Sequence, residues 1–259
     1  MKLMKVSLTL LAMFSLVACG GAGGEEAGKE SLPISKEQSQ EKVQELANTD
    51  GFYLEFTFSS GGSDSEETSG SFSYGKSGDV LWMRNQEGQG FALKKAETLF
   101  HAYEYNLGDE ETPAGWEYLY SVSDEEKAGT FTQAFEMTYN TWLYYGNAYD
   151  GYLTKGSDTT VAGRSCYTYS FDMNSLTQQE GISGIASQYL DKLKGVEVRY
   201  EIAVDKELGI TMKLSVSGSA EGESGYASFE VTKFVTGSSV EVPDLPEPTN
   251  INDVSSQLA

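Results

Sequence analysis

In the stretch FYLEFTF, Phe52, Leu54, Phe56 and Phe58 fall on every second residue, with Tyr53, Glu55 and Thr57 between them. Successive side chains of a strand point to opposite faces, so this spacing makes one face apolar and the other polar. A helix, with its period of about 3.6, cannot produce that segregation. Further strand candidates follow at SFSYGK, DVLWMRN, GFALKK, TLFHAYEYN and WEYLYSV, and again at RSCYTYSFD. The last third reads as a meander, VEVRYEIAVD, ITMKLSVSGS and GYASFEVTKFV, with KELG joining the first two. Short turns between consecutive strands imply antiparallel pairing. SSGGSDSEETSG, residues 59–70, has no apolar period and reads as a loop.

Three segments break this rhythm. Ser35 stands three residues before Gln38, a capping-box spacing that opens a short N-terminal helix. In residues 127–147, Phe131, Ala134, Phe135, Thr138, Trp142 and Tyr145 share one helical face. In residues 174–195, Ile182, Ile185, Ala186, Tyr189, Leu190 and Leu193 do the same, with Gly181 and Gly184 weakening the first half. The expected class is α+β: a large antiparallel sheet with two long amphipathic helices covering one face.

The N-terminus constrains location. Lys2 and Lys5 precede an apolar run from Val6 to Val17, which is shorter than the roughly 20 residues of a spanning helix. The run ends Leu16-Val17-Ala18-Cys19, followed by Gly20 and Gly21. This resembles a bacterial lipobox. The resemblance implies a signal peptide over residues 1–18, acyl chains including palmitate on Cys19, and attachment to the extracytoplasmic face of a cell membrane. Two acyl chains anchor stably where one is marginal. Residues 19–34 read as a disordered tether, 35–242 as a single domain, and 243–259, which hold Pro243, Pro246 and Pro248, as a flexible tail.

Composition excludes several functions. The net charge of −21 repels nucleic acid and anionic headgroups, and it becomes more negative if Lys2 and Lys5 are removed with the signal. With Cys19 acylated, Cys166 has no partner for a disulfide and reads as a buried strand residue. The acidic runs at 64–67, 109–111 and 124–126 lack calcium-loop spacing, so no metal is expected. There is no G-x-S-x-G, and the single histidine, His101, lies on a strand with Leu99 and Tyr103 in a packing role. No catalytic residue and no cofactor are expected.

Two motifs carry a resemblance to a known group. VAGRSCYTYSFD, Val161 to Asp172, has a glycine turn, a basic residue and a tyrosine-rich strand. YEIAVDKELGITMKLSVS, Tyr200 to Ser217, has a strand, an Asp-Lys-x-x-Gly turn and a second strand. Together they resemble the LolA/LolB and LppX-like superfamily of lipoprotein and lipid carriers. That resemblance implies a curved, open half-barrel with the helices on its concave face and space for acyl chains between them. The expected function is therefore binding of an apolar or amphipathic ligand, lipid among them, by a monomeric lipoprotein. Phe131, Phe135, Trp142, Ile185 and Tyr189 are the expected ligand contacts. The alternative is a non-catalytic envelope module that engages a protein or glycan through its outer face or acidic loops.

Overall fold

The computed structural model describes residues 30–63, 65–97, 99–109, 113–122, 143–149, 153–172, 197–220 and 223–248. Its elements are a helix α1 (Lys36–Thr49) and twelve strands. The strands are β1 (Phe52–Gly62), β2 (Ser65–Ser77), β3 (Val80–Asn85), β4 (Gly90–Ala96), β5 (Leu99–Asn106) and β6 (Gly115–Val122). They continue with β7 (Thr154–Lys155), β8 (Thr159–Val161), β9 (Arg164–Asp172), β10 (Glu197–Asp205), β11 (Thr211–Ala220) and β12 (Glu223–Thr236). Neighbours pair in the order β6-β5-β4-β3-β2-β1-β12-β11-β10-β9-β7, with β8 also on β9.

This overturns the expected fold class. The α+β arrangement, with two long helices on the concave face of a half-barrel, is replaced by one open twelve-stranded sheet in which α1 is the one α-helix complete among the described residues. The expected helical segments fall on residues 127–147 and 174–195, outside the described residues except at Leu143–Asn147. There, Tyr145–Tyr149 form a 3-10 turn. Strand also extends further than the apolar pattern indicates. The expected loop at 59–70 is mostly strand, because β1 runs on to Gly62 and β2 starts at Ser65. Polar pairing holds it in place of apolar packing: Ser59 Oγ lies 2.8 Å from Ser228 Oγ, and Ser63 N donates to Ser224 O at 2.9 Å.

The short N-terminal helix forms as its cap implies. Ser35 N donates to Gln38 Oε1 at 3.0 Å, and Gln38 N donates to Ser35 Oγ at 3.3 Å. Just before it, Glu30 N donates to Leu153 O at 2.9 Å, and Leu32 is buried.

The chain divides into two compact units. The first comprises residues 1–40, 57–69 and 140–231. Its core is one face of β9–β12. Phe171 stacks on Tyr200 with centroids 4.3 Å apart, and Tyr145 stacks on the same ring at 6.4 Å. Ile202, Leu214, Val216 and Phe229 continue that buried face. Gly146 N donates to Thr211 Oγ1, which fixes the 3-10 turn to the sheet.

The two motifs singled out in the sequence meet in this unit. Ala162 and Gly163, both at positive φ, turn β8 back into β9. Arg164, the next residue, grips Asp205 with two hydrogen bonds, Nε at 2.5 Å and Nη2 at 2.9 Å. Asp205 Oδ1 also accepts from the backbone N–H of Glu207 and Leu208, shaping the turn that Gly209 closes at φ +74. Its side chain is 1% exposed.

The second unit comprises residues 41–56, 70–139 and 232–259. On one face Phe52 packs against Tyr74 and Phe234, and Phe56 against Phe72. On the other, Trp82, Ala92 and Tyr103 form a buried row across β3, β4 and β5. Val240 and Leu245, from the proline-containing segment after β12, pack on that row. Trp82 lies flat across its cross-strand partner Gly75, where an added Cβ would fall 2.1 Å from Cζ2 of the indole.

Two stability predictions follow from these contacts. Gly75→Ala is expected to cost about 2–3 kcal/mol by displacing Trp82. Gly78→Ala, at φ +53 with open space around it, should cost only about 1 kcal/mol. Asp205→Asn is expected to cost about 2–4 kcal/mol, because it removes the buried carboxylate opposite the half-buried Arg164 and leaves that charge only the exposed Glu207. Glu207→Gln, at an 82% exposed side chain, should stay within about 0.5 kcal/mol. Urea titration of the four variants checks both contrasts.

Candidate functional site

The end of the first unit holds a cleft of about 950 Å³. It lies where β10 begins, β11 and β9 end and β12 starts. Antiparallel register builds its floor: Val198 faces Gly218 across β10 and β11, and Gly218 faces Gly225 across β11 and β12. The two facing glycines put no side chain there, and they, Val198 and Phe171 make an apolar floor that is itself buried. A Cβ at Gly218 would meet its nearest neighbours at 3.4 and 3.7 Å, so the hollow there is not forced by crowding of the backbone. The flanking positions Glu197, Arg199, Ser217, Ser219 and Tyr226 alternate to the opposite, exposed side of the sheet, so they border the cleft around the strand ends. Arg199 is 3.5 Å from Glu201, and both side chains are largely exposed, so its guanidinium is available to an incoming acceptor at little desolvation cost.

An apolar floor with a charged and hydroxyl-bearing rim suits an amphipathic molecule. The volume falls at the upper end of the roughly 300–1,000 Å³ typical of small-molecule sites. The floor was missed in the sequence because its signal is an absence. Gly218 and Gly225 interrupt two strands, and only the register puts them opposite each other.

The five expected contacts, Phe131, Phe135, Trp142, Ile185 and Tyr189, lie outside the described residues, as does Cys19. Of the tyrosines beside that segment, Tyr144 and Tyr145 are buried core residues.

Other chemistry is occupied structurally. Cys166 is fully buried, and its burial, then the neighbouring Asp205 carboxylate, push the thiol up to about 11. His101 Nδ1 lies 2.6 Å from Ser121 Oγ, which is 2.7 Å from the Tyr118 hydroxyl. Such a hydroxyl–imidazole pair resembles a nucleophile and its base. Both residues are buried, however, and burial followed by Lys94 lowers the His101 pKa, so the ring stays neutral as a packed hydrogen-bonding group. Among the described residues no three His, Cys, Asp or Glu side chains gather to hold a metal, and no helix is long and apolar enough to cross a membrane.

Because only the thiolate is nucleophilic, Cys166 should have about one molecule in a thousand reactive at pH 8. Iodoacetamide is expected to label it slowly in the native protein and fully after denaturation. Rapid native labelling would contradict the buried, neutral thiol.

No protein family matches the chain, and no curated protein matches its sequence. Among solved structures it is similar to the Mycobacterium tuberculosis lipoprotein LppX, at 12% identity over 83% of this chain and 95% of that one, with a TM-score of 0.29. It is also similar to a LolA superfamily protein from Nitrosomonas europaea, at 10% identity over 83% and 96%, with a TM-score of 0.23. A DUF1329 family protein from Desulfovibrio piger gives 9% over 78% and 92%, with a TM-score of 0.27. These include members of the group that the two sequence motifs resemble.

Proposed function

We propose that the chain is a non-enzymatic envelope lipoprotein, held on the extracytoplasmic face of a bacterial membrane through Cys19, that binds an amphipathic ligand of the lipid class. One observation carries the reading: the cleft of about 950 Å³ with Phe171, Val198, Gly218 and Gly225 as floor and Arg199 and the serines as rim. An acyl chain on the floor gains about 25 cal/mol for each Å² removed from water. A phosphate or carboxylate head that reaches around the strand ends meets Arg199 and the Ser217 and Ser219 hydroxyls on the other side of the sheet. The lipobox and the carrier-like motifs support the same reading. Contact of the ligand with Phe131, Phe135, Trp142, Ile185 and Tyr189 is part of this proposal.

The test is titration of the full-length protein with palmitoyl-lysophosphatidylglycerol, followed by tryptophan emission and calorimetry. Saturable binding is expected. Gly218→Val fills the floor at a position where a Cβ is tolerated, so it should weaken binding about tenfold or more while leaving the urea midpoint close to wild type. Arg199→Gln, an exposed change, should weaken it severalfold. Absence of binding, or equal binding by wild type and both variants, contradicts the proposal.

A further inference from the structure

The second unit carries a separate cleft of about 410 Å³ with a different character. One wall is the polar face of the sheet, with Tyr53 on β1, Trp82 and Arg84 on β3, and Trp116 on β6. The opposite wall is the segment after β12, including Glu241, Val242 and Pro243. Val242 is 44% exposed, so apolar surface borders the cleft on that side as well.

The aromatic wall is held rigid. Trp82 is seated on Gly75. Trp116 packs edge-on to Tyr105 with centroids 5.2 Å apart, and the Arg84 guanidinium stacks 3.9 Å above the Tyr105 ring. Lys233 lies over Tyr53 and 3.3 Å from Glu55, which also accepts from the Tyr53 hydroxyl at 3.1 Å. Rings fixed in this way offer flat apolar surface without an ordering cost on binding.

The charges select the ligand. Arg84 and Lys233 supply two positive groups, and Glu55 and Glu241 supply two negative ones. A lining that cancels gives no net attraction to an anion or a cation. An acyl chain would desolvate four charged side chains without compensation. What fits both the flat rings and the many charged donors and acceptors is a neutral molecule with an apolar face and a periphery of hydroxyls. The geometry points to a second binding site, for a neutral carbohydrate of one or two pyranose rings, stacked on Trp116 and hydrogen-bonded by Arg84, Glu55, Lys233 and Glu241. It is independent of the lipid-class ligand proposed for the first unit.

The experiment is saturation-transfer NMR of the full-length protein with maltose, cellobiose and N,N′-diacetylchitobiose at millimolar concentration, with glucose 6-phosphate as the charged comparator. At least one neutral disaccharide is expected to bind, with saturation strongest on its ring C–H protons, and the phosphorylated sugar to bind more weakly. Trp116→Ala should reduce affinity about tenfold and Trp116→Tyr should retain most of it. Glu241→Gln, an exposed change that leaves folding intact, should reduce it about threefold. The proposal is overturned if none of the three disaccharides binds, if glucose 6-phosphate binds best, or if Trp116→Ala and Glu241→Gln bind as wild type does.

Discussion

The bidentate bond between Arg164 and Asp205 ties the first unit together. Asp205 ends β10 and, through its Oδ1, sets the turn into β11. Arg164 begins β9, directly after the left-handed pair Ala162 and Gly163. One ion pair therefore fixes a turn on each side of β10 and with them the register of β9, β10 and β11. A buried carboxylate is costly unless matched, so the pair acts chiefly as a constraint: misregistered pairings would strand Asp205 without its partner. The cleft depends on that register. Slipping β11 by one residue against β10 would move Gly218 to the opposite face and put Ser217 or Ser219 on the floor.

The second unit is organised by a steric constraint. Trp82 occupies the space that any side chain at residue 75 would need, and its row with Ala92 and Tyr103 is where Val240 and Leu245 dock. Prolines at 243, 246 and 248 keep this last segment from extending β12 and leave it lying along the sheet face. The chain from Ser239 to Pro243, which leads into this segment, forms one wall of a cleft.

Period-two alternation made the strands legible: β3 through β6 and β10 through β12 fall where the apolar pattern puts them. The capping box placed α1 within a residue. What the pattern missed were strands without an apolar face. Residues 59–70 carry serine, glycine and glutamate, which mark turns by composition, yet they pair through backbone and hydroxyl groups. The α+β reading gave way because strand runs past the apolar alternation, through β1 and β2, into one twelve-stranded sheet. Cys166 was readable as a packing residue from its place in an alternating strand. The floor of the large cleft was not readable, since it needs the register that places Gly218 between Val198 and Gly225.

The central claim is that the cleft of the first unit holds a lipid-class molecule. Native mass spectrometry of the full-length protein, purified from its host in mild detergent, tests this most directly. The account predicts a protein population carrying one non-covalent adduct with the mass of a lipid, released by collisional activation and lost in the Gly218→Val variant. A protein without any non-covalent lipid adduct, with wild type and Gly218→Val giving the same spectrum, would contradict it.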